Sequence, residues 1–553
     1  MIATEPPQSA KLPALDRRTL FKTGVLGVGL LGMESALRAA TGGFSHGVAS
    51  GEPGPDGVLL WTRFVGSQDT ALNYEVSRTL DFATTVAGGT VTAGPDRDWC
   101  CKTRAEGLEP GTWYYFRFIA PDGSVSDIGR TKTLPEGPTE KFSMAVFSCS
   151  NIGFGWFNAY AHAAAANEFD CAFHLGDYLY EYAPGTYPST AETASGRAIW
   201  PATELIALAD YRARYAAYRS DPDLRRLHQV YPMISGWDDH ESSNDSWSGG
   251  AENHTPGTEG DWSERKAAAA RAYREWMPVS DDPWASYEIG DLATLFRLET
   301  RLTARAEQFS YGKILSGKTT PQDAMAALSA FRDGAWRDPS RELLGTAQQD
   351  WLAAGLKRST GAGKRWQVLL QQVLMGTLST ASQLIEALPD DLPGYIRQRL
   401  LSGALASEVG LPVSMDAWDG YPAARERVLR AALDANANLV SLAGDTHNAW
   451  AFDLDLAGEP VGVEFGGQSV CSPGLENYLS FMKPDEIEAA TVGRNPQLRW
   501  MDSSRRGYMA VELTPDAATS EYRFLGSVKE RGSSVVASKR ISSPHGTRVL
   551  DVG

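Results

Sequence analysis

The chain has 553 residues, of which 42% are hydrophobic, 10% aromatic and 22% charged, with a formal net charge of -16. Those are globular proportions in a chain too long for one average domain, so a disordered or fibrous protein is excluded. The acidic balance argues against a specific nucleic-acid partner, which needs a basic face. It suits the binding of multivalent cations.

At the N-terminus, Asp16-Arg17-Arg18-Thr19-Leu20-Phe21-Lys22 carries a twin arginine, followed by a weakly apolar, glycine-rich run from Gly24 to Leu31. That run is too short to span a bilayer, and a soft apolar region after Arg-Arg is what twin-arginine export uses. Residues 1–41 are read as a twin-arginine signal peptide, with cleavage expected between Ala36 and Thr41. The expected partner of the precursor is the twin-arginine export machinery, and the expected location is periplasmic or secreted. No later stretch is long and apolar enough to span a membrane. Five cysteines, Cys100, Cys101, Cys149, Cys171 and Cys471, allow at most two disulfides in an exported chain.

Residues 42–137 read as all-β. Gly57-Val58-Leu59-Leu60-Trp61-Thr62-Arg63 is a strand, and Pro110-Gly111 is a turn before the aromatic strand Trp113-Tyr114-Tyr115-Phe116-Arg117-Phe118. Short strands punctuated by Gly and Pro predict an immunoglobulin- or fibronectin-like sandwich, with Trp61 and Tyr115 in its core. Thr131 to Pro138 reads as the linker.

From residue 138 to 553 strands alternate with helices, which predicts an α/β domain. Phe142 to Phe147 ends in Ser148-Cys149, and Asp170 to Leu175 ends in Gly176-Asp177-Tyr178-Leu179-Tyr180-Glu181. Val230 to Ile234 follows a helix over Tyr211 to His228 and ends in Trp237-Asp238-Asp239-His240-Glu241. Leu292 to Leu298 ends in Glu299-Thr300-Arg301, Trp366 to Leu370 in Gln371-Gln372, and Leu439 to Leu442 in Gly444-Asp445-Thr446-His447. Strands that stop on polar, ligand-type residues are expected where an open α/β sheet builds a site at its carboxyl ends. Ser242 to Asp261 reads as a loop over that site. Leu302 to Pro339 and Leu378 to Leu411 read as partly helical rim or lid elements, and Gly507 to Leu513 and Tyr522 to Leu525 as closing strands of the second sheet.

The collected candidates are Cys149, Asp177, Tyr180, Asp239, Asp445 and His447, with His240, Asn244 and Arg301 nearby. A thiolate with a phenolate favours Fe(3+), while carboxylates and amides suit Ca(2+), with Mn or Zn as alternative divalent ions. A bridging Asp can hold two ions roughly 3.5–4 Å apart, as two-metal phosphate enzymes do. The implied reaction is phosphoester hydrolysis by metal-activated hydroxide attack, with no covalent enzyme intermediate. Only two of the eight histidines lie in these motifs, which argues against a histidine-rich dizinc centre.

His46-Gly47-Val48-Ala49-Ser50-Gly51-Glu52-Pro53, Ser148-Cys149, Gly176 through Glu181, Trp237 through Glu241, Asp416-Ala417-Trp418-Asp419-Gly420-Tyr421 and Gly444 through His447 together resemble PhoD-type alkaline phosphatases. The resemblance implies a calcineurin-like metallophosphoesterase β-sandwich flanked by helices and preceded by an immunoglobulin-like domain. It also implies an iron and calcium centre acting on phosphate ester substrates. Carried over by motif, Cys149, Asp177 and Tyr180 ligate iron, Asp177 bridges to calcium, and Asp239 and Asn244 stand on the calcium side. Asp445 and His447 replace the superfamily's Gly-His-x-His, His240 matches its phosphate-binding or leaving-group histidine, and Arg301 resembles the phosphate-binding arginine. Glu299, Ser150 and Ser242-Ser243 depart from the usual residues beside the site. Two other functions fit the same residues less well: a phospholipase D-like phosphodiesterase, and a non-catalytic binding protein.

Overall fold

In a computed structural model, described over residues 42–392 and 394–553, the chain forms three sheets. The expected signal peptide, residues 1–41, lies outside the described residues. The first seven strands are β1 (Gly43–Gly51), β2 (Gly57–Val65), β3 (Thr70–Ser77), β4 (Thr85–Ala93), β5 (Cys100–Glu106), β6 (Trp113–Ile119) and β7 (Gly129–Lys132). Strands β4, β3, β6 and β7 make a four-stranded antiparallel sheet. It packs against β1, β2 and β5 through Val48, Val58, Leu60, Val76, Tyr114, Phe116 and Phe118. Tyr115 is only half-buried. Alternation along β6 turns Tyr114 inward and Tyr115 outward, so the expected core tyrosine is off by one.

Strands β8 (Phe142–Phe147), β9 (Cys171–His174) and β10 (Pro232–Ser235) are parallel neighbours. β1 pairs in parallel with β10, so the N-terminal strands and the catalytic strands share one nine-stranded sheet. Its other edge is β18 (Gly507–Leu513), β19 (Ala517–Leu525) and β20 (Val535–Pro544), with β18 antiparallel to β8. The two strands expected to close the second sheet therefore close the first. Sequence period gives a strand's faces but not its partner.

The second sheet has seven strands: β11 (Ala285–Ile289), β12 (Ala293–Arg297), β13 (Trp366–Leu370), β14 (Leu439–Ala443), β15 (Ala449–Leu456), β16 (Glu459–Gly466) and β17 (Leu498–Asp502). β12, β13, β14 and β16 run parallel. The two sheets face each other across Met144, Val146, Phe173, Ile234, Leu295, Val368, Val440 and Val463. These strands are buried on both faces, which explains their uninterrupted apolar sequences.

Helices cover both outer faces. α1 (Asn158–Ala166), α2 (Leu208–Arg219), α3 (Pro222–Val230) and α4 (Trp262–Trp276) lie on the first sheet, and α7 (Gly345–Gly361) and α10 (Pro422–Asp434) on the second. One helix was expected over Tyr211 to His228; there are two. Asp221 caps α3 by accepting from the N–H groups of Asp223 and Leu224, and Pro222 opens it, chemistry that stops one helix and starts another. α5 (Tyr311–Leu315), α6 (Pro321–Asp333), α8 (Ser382–Glu386) and α9 (Gly394–Glu408) form the two insertions. All five cysteines are buried and unbridged. No helix among the described residues is long and apolar enough to cross a membrane.

Candidate metal centre

The carboxyl ends of β8, β9 and β10 in one sheet and of β12, β13 and β14 in the other supply the site residues. Two glycines let the ends meet. A Cβ on Gly176 would lie 2.4 Å from Asp238 Cβ, and one on Gly444 would lie 2.6 Å from Ser148 Cβ. Immediately beyond these strands the backbone becomes left-handed at Cys149 (φ 60°), Asp177 (φ 53°), Asp445 (φ 64°) and His447 (φ 67°). Non-glycine residues rarely take that conformation, and strain of this kind collects at functional sites.

Among the described residues three donor groups form, each with its ligand atoms within 4.8 Å of one another: Cys149 with Asp177 and His447, Asp177 with Asp239 and His240, and Asp238 with Asp239 and Asp445. Asp177 is common to the first two. The Tyr180 hydroxyl lies 3.0 Å from Asp177 Oδ2 and 3.1 Å from His447 Nε2, and accepts from Ser472 Oγ at 2.8 Å. His447 Nδ1 donates to the Pro473 carbonyl at 2.6 Å. That bond leaves Nε2 as the lone-pair nitrogen turned toward Asp177 and Tyr180.

Asn244 stands apart. Its side-chain amide donates to Glu252 at 3.0 Å, while its backbone N–H donates to Glu181 at 2.8 Å. Glu181 is buried and accepts from His240 Nδ1 at 2.7 Å. Glu241 ties two strand ends together, accepting from the backbone N–H groups of Asp177, Tyr178 and Asp238. Asp238 and Glu241 were visible as motif letters, but no spacing rule distinguished them from Asp239. Arg301 is buried with Nε 2.5 Å from Asp238 and Nη1 2.8 Å from both oxygens of Asp416.

Burial, then the Asp177 carboxylate, pushes the Cys149 thiol and the Tyr180 phenol well above their usual ranges. Burial does the same to the Asp177 and Asp445 carboxyls. Against burial, which raises it, Arg301 and His240 hold Asp239 below the ordinary carboxylate range. His240 is raised: burial lowers it, but Asp239, Glu181 and Asp177 outweigh that. Burial drives His447 down to about 3, so it is neutral and free to ligate.

This donor set fits a cation. Asp177 Oδ1 and Asp238 Oδ2 are buried without hydrogen-bond partners, and buried carboxylate oxygens normally have one. Thiol, phenol, imidazole and carboxylates converge where only His240 and Arg301 offset the acids, and an added positive charge would bring the raised groups into their ionised, ligating forms.

Two stacked sheets, helices on both outer faces and polar strand ends converging on acidic donor groups define a calcineurin-like metallophosphoesterase. A family model described as PhoD-like phosphatase matches residues 144–522, and a second, described as its N-terminal domain, matches residues 32–135. Alkaline phosphatase D of Bacillus subtilis (strain 168) is 33% identical over 538 residues, covering 92% of this chain and 82% of that protein. A solved structure titled "Structure of PhoD" superposes with a TM-score of 0.74 at 31% identity, covering 92% of this chain and 91% of the other. The chain belongs to the PhoD-like phosphatase family, and it is an enzyme, a phosphoric ester hydrolase.

Proposed function

We propose that the protein is an exported alkaline phosphatase that hydrolyses phosphate monoesters and diesters at the converging strand ends. The observation that carries this reading is the placement of Asp177 in two donor groups at once, with one oxygen unpartnered. Cys149, Tyr180, His447 and Asp177 would hold Fe(3+), and Asp177, Asp239 and Asp445 would hold Ca(2+), with Mn or Zn as alternatives on that side; Asn244, expected there from the motif, has its side-chain amide on Glu252 and is left out. When bound, such a pair lowers the pKa of attacking water and neutralises phosphate oxygens.

The protein's own residues do the rest. His240 is fixed by Glu181 through Nδ1, which leaves Nε2 to carry a proton to the departing ester oxygen. Against burial, the Asp239, Glu181 and Asp177 carboxylates favour the protonated ring. Arg301 offers a buried cation to the transferring phosphoryl group. Tyr180 and Tyr182 flank the His240 ring at centroid distances of 4.3 and 5.5 Å, limiting its rotation and water access.

Metal analysis of the natively exported protein, paired with assays on p-nitrophenyl phosphate, its bis ester and phosphatidylcholine, tests this. The expected result is iron with calcium, and turnover of both chromogenic esters. Lipid turnover exceeding both by orders of magnitude would replace the reading with a phospholipase D-like one. A metal-free, inactive protein would leave a binding role.

A further inference from the structure

If Arg301 is to receive a phosphoryl group, its guanidinium must be free to do so. The side chain is fully buried, and every nitrogen faces a carboxylate. Nε binds Asp238, Nη1 binds both oxygens of Asp416, and Nη2 lies 3.4 Å from Asp445. The Asp416 carboxylate holds one end of the fork as a phosphate would, with two oxygens at 2.8 Å. Arg305, also fully buried, grips Asp416 through both its carboxylate and its carbonyl.

Asp416 belongs to neither sheet. The preceding Met415 packs with Leu328, Phe331, Ala406, Val409 and Leu411 in a small apolar cluster of the two insertions. That cluster has no residue in common with those between and behind the sheets. Asp416 thus lies at the junction between this modestly packed unit and Trp418, which is fully buried behind the second sheet with its backbone N–H on Leu374 O; the unit can open at low free energy about that anchor while the main core stays closed.

We propose that Asp416 is a carboxylate latch. It occupies Arg301 and Arg305 in the resting enzyme, and the phosphate group of substrate or product displaces it, so that the insertion carrying α9 moves off the site. This rests on the reading of Arg301 as the phosphate-binding residue. A monoester or inorganic phosphate offers about two negative charges, and a diester one, in exchange for one carboxylate, which compensates the buried guanidinium after Asp416 leaves.

Calorimetric titration of inorganic phosphate into the metal-loaded protein tests the latch. In Asp416→Asn the competing charge is gone, so phosphate binding tightens by about tenfold; a merely structural Asp416 would leave affinity unchanged or weaken it, and either result overturns the latch. Hydrogen exchange on the wild-type protein gives a second reading that needs no variant. Amides of residues 400–416 exchange faster once phosphate is bound if the insertion moves, and unchanged or slower exchange overturns the proposal. Phosphate binding that tightens in Asp416→Asn without ester turnover keeps the latch and removes the phosphatase reading. Turnover with unaltered affinity does the reverse.

Discussion

Cys149, Asp177, Asp445 and His447 each hold left-handed backbone, at a cost of about 1–2 kcal/mol per residue. Such strain persists only where the surroundings fix it, and here hydrogen bonds do so. Cys149 N–H donates to Gly176 O at 3.1 Å, Asp177 N–H to Glu241 at 3.1 Å, and Ser469 N–H to His447 O at 3.1 Å. Replacing Cys149 with Ala keeps these backbone bonds, so a folded protein is expected. On the proposed metal assignment its iron content should fall to background and turnover should drop by about a hundredfold or more, measured by metal analysis and steady-state assay. Glu181→Gln acts through His240. Glu181 is one of the carboxylates that raise His240, so its neutralisation lowers the imidazole's pKa. The alkaline limb of the kcat profile should move to lower pH, and kcat should fall by about 10²-fold or more; an unmoved limb would detach Glu181 from proton transfer.

At the scale of elements, the ends of the strands mattered more than their interiors. The apolar runs predicted β8, β9, β12, β13 and β14 within a residue or two, because double burial writes itself as uninterrupted hydrophobicity. The β15–β16 hairpin was missed. Its turn, Ala457-Gly458, has positive φ at both residues, but Ala lacks the Asn or Asp signature of such turns. β16 also carries Glu464, fully buried, which accepts from the N–H groups of Met375 and Gly376 and from Ser441 Oγ at 2.8–3.0 Å. Burial raises it from 4.5 to about 7. The folded protein therefore binds a proton between those values that the unfolded chain does not. The contribution of Glu464 to stability is fully present below pH 4.5 and is lost as pH rises toward 7, by about 3 kcal/mol. Glu464→Gln should flatten that slope in denaturant midpoints taken between pH 4.5 and 8.

For the whole molecule, the nine-stranded sheet crosses the boundary expected near residue 137. Ser50 and Gly51 of β1 pair with Pro232 and Met233 of β10. Trp61 on β2 faces the catalytic layer, with its ring 6.1 Å from Trp276 and Nε1 donating to Glu275 O at 2.8 Å. Leu60, its neighbour, faces the N-terminal sandwich. Excision of residues 42–137 uncovers the edge of β10 and this aromatic face. Residues 138–553 alone should therefore give little soluble protein, or lose the cooperative thermal transition of the full chain. Trp61→Ala should cost about 3–5 kcal/mol in the full chain, read from denaturant unfolding.

The sequence by itself determined the alternation of strands and helices, the all-β start, and the polar residues at the strand ends. These follow from local rules of burial period and turn chemistry, written in consecutive residues. It also put Cys149, Asp177, Tyr180, Asp239, His240, Asp445 and His447 in motifs that the tertiary structure gathers in one place. Only the fold decided that Glu181 holds His240, that Glu241 clamps two strand ends, that Asp416 closes on Arg301 from a distant insertion, and that β18 and β19 belong to the first sheet. Each of those is a pairing between segments far apart in the chain, 59 residues for Glu181 with His240 and 115 for Arg301 with Asp416. A carboxylate's sequence neighbours carry no information about which cation or amide it will meet once the sheets have stacked.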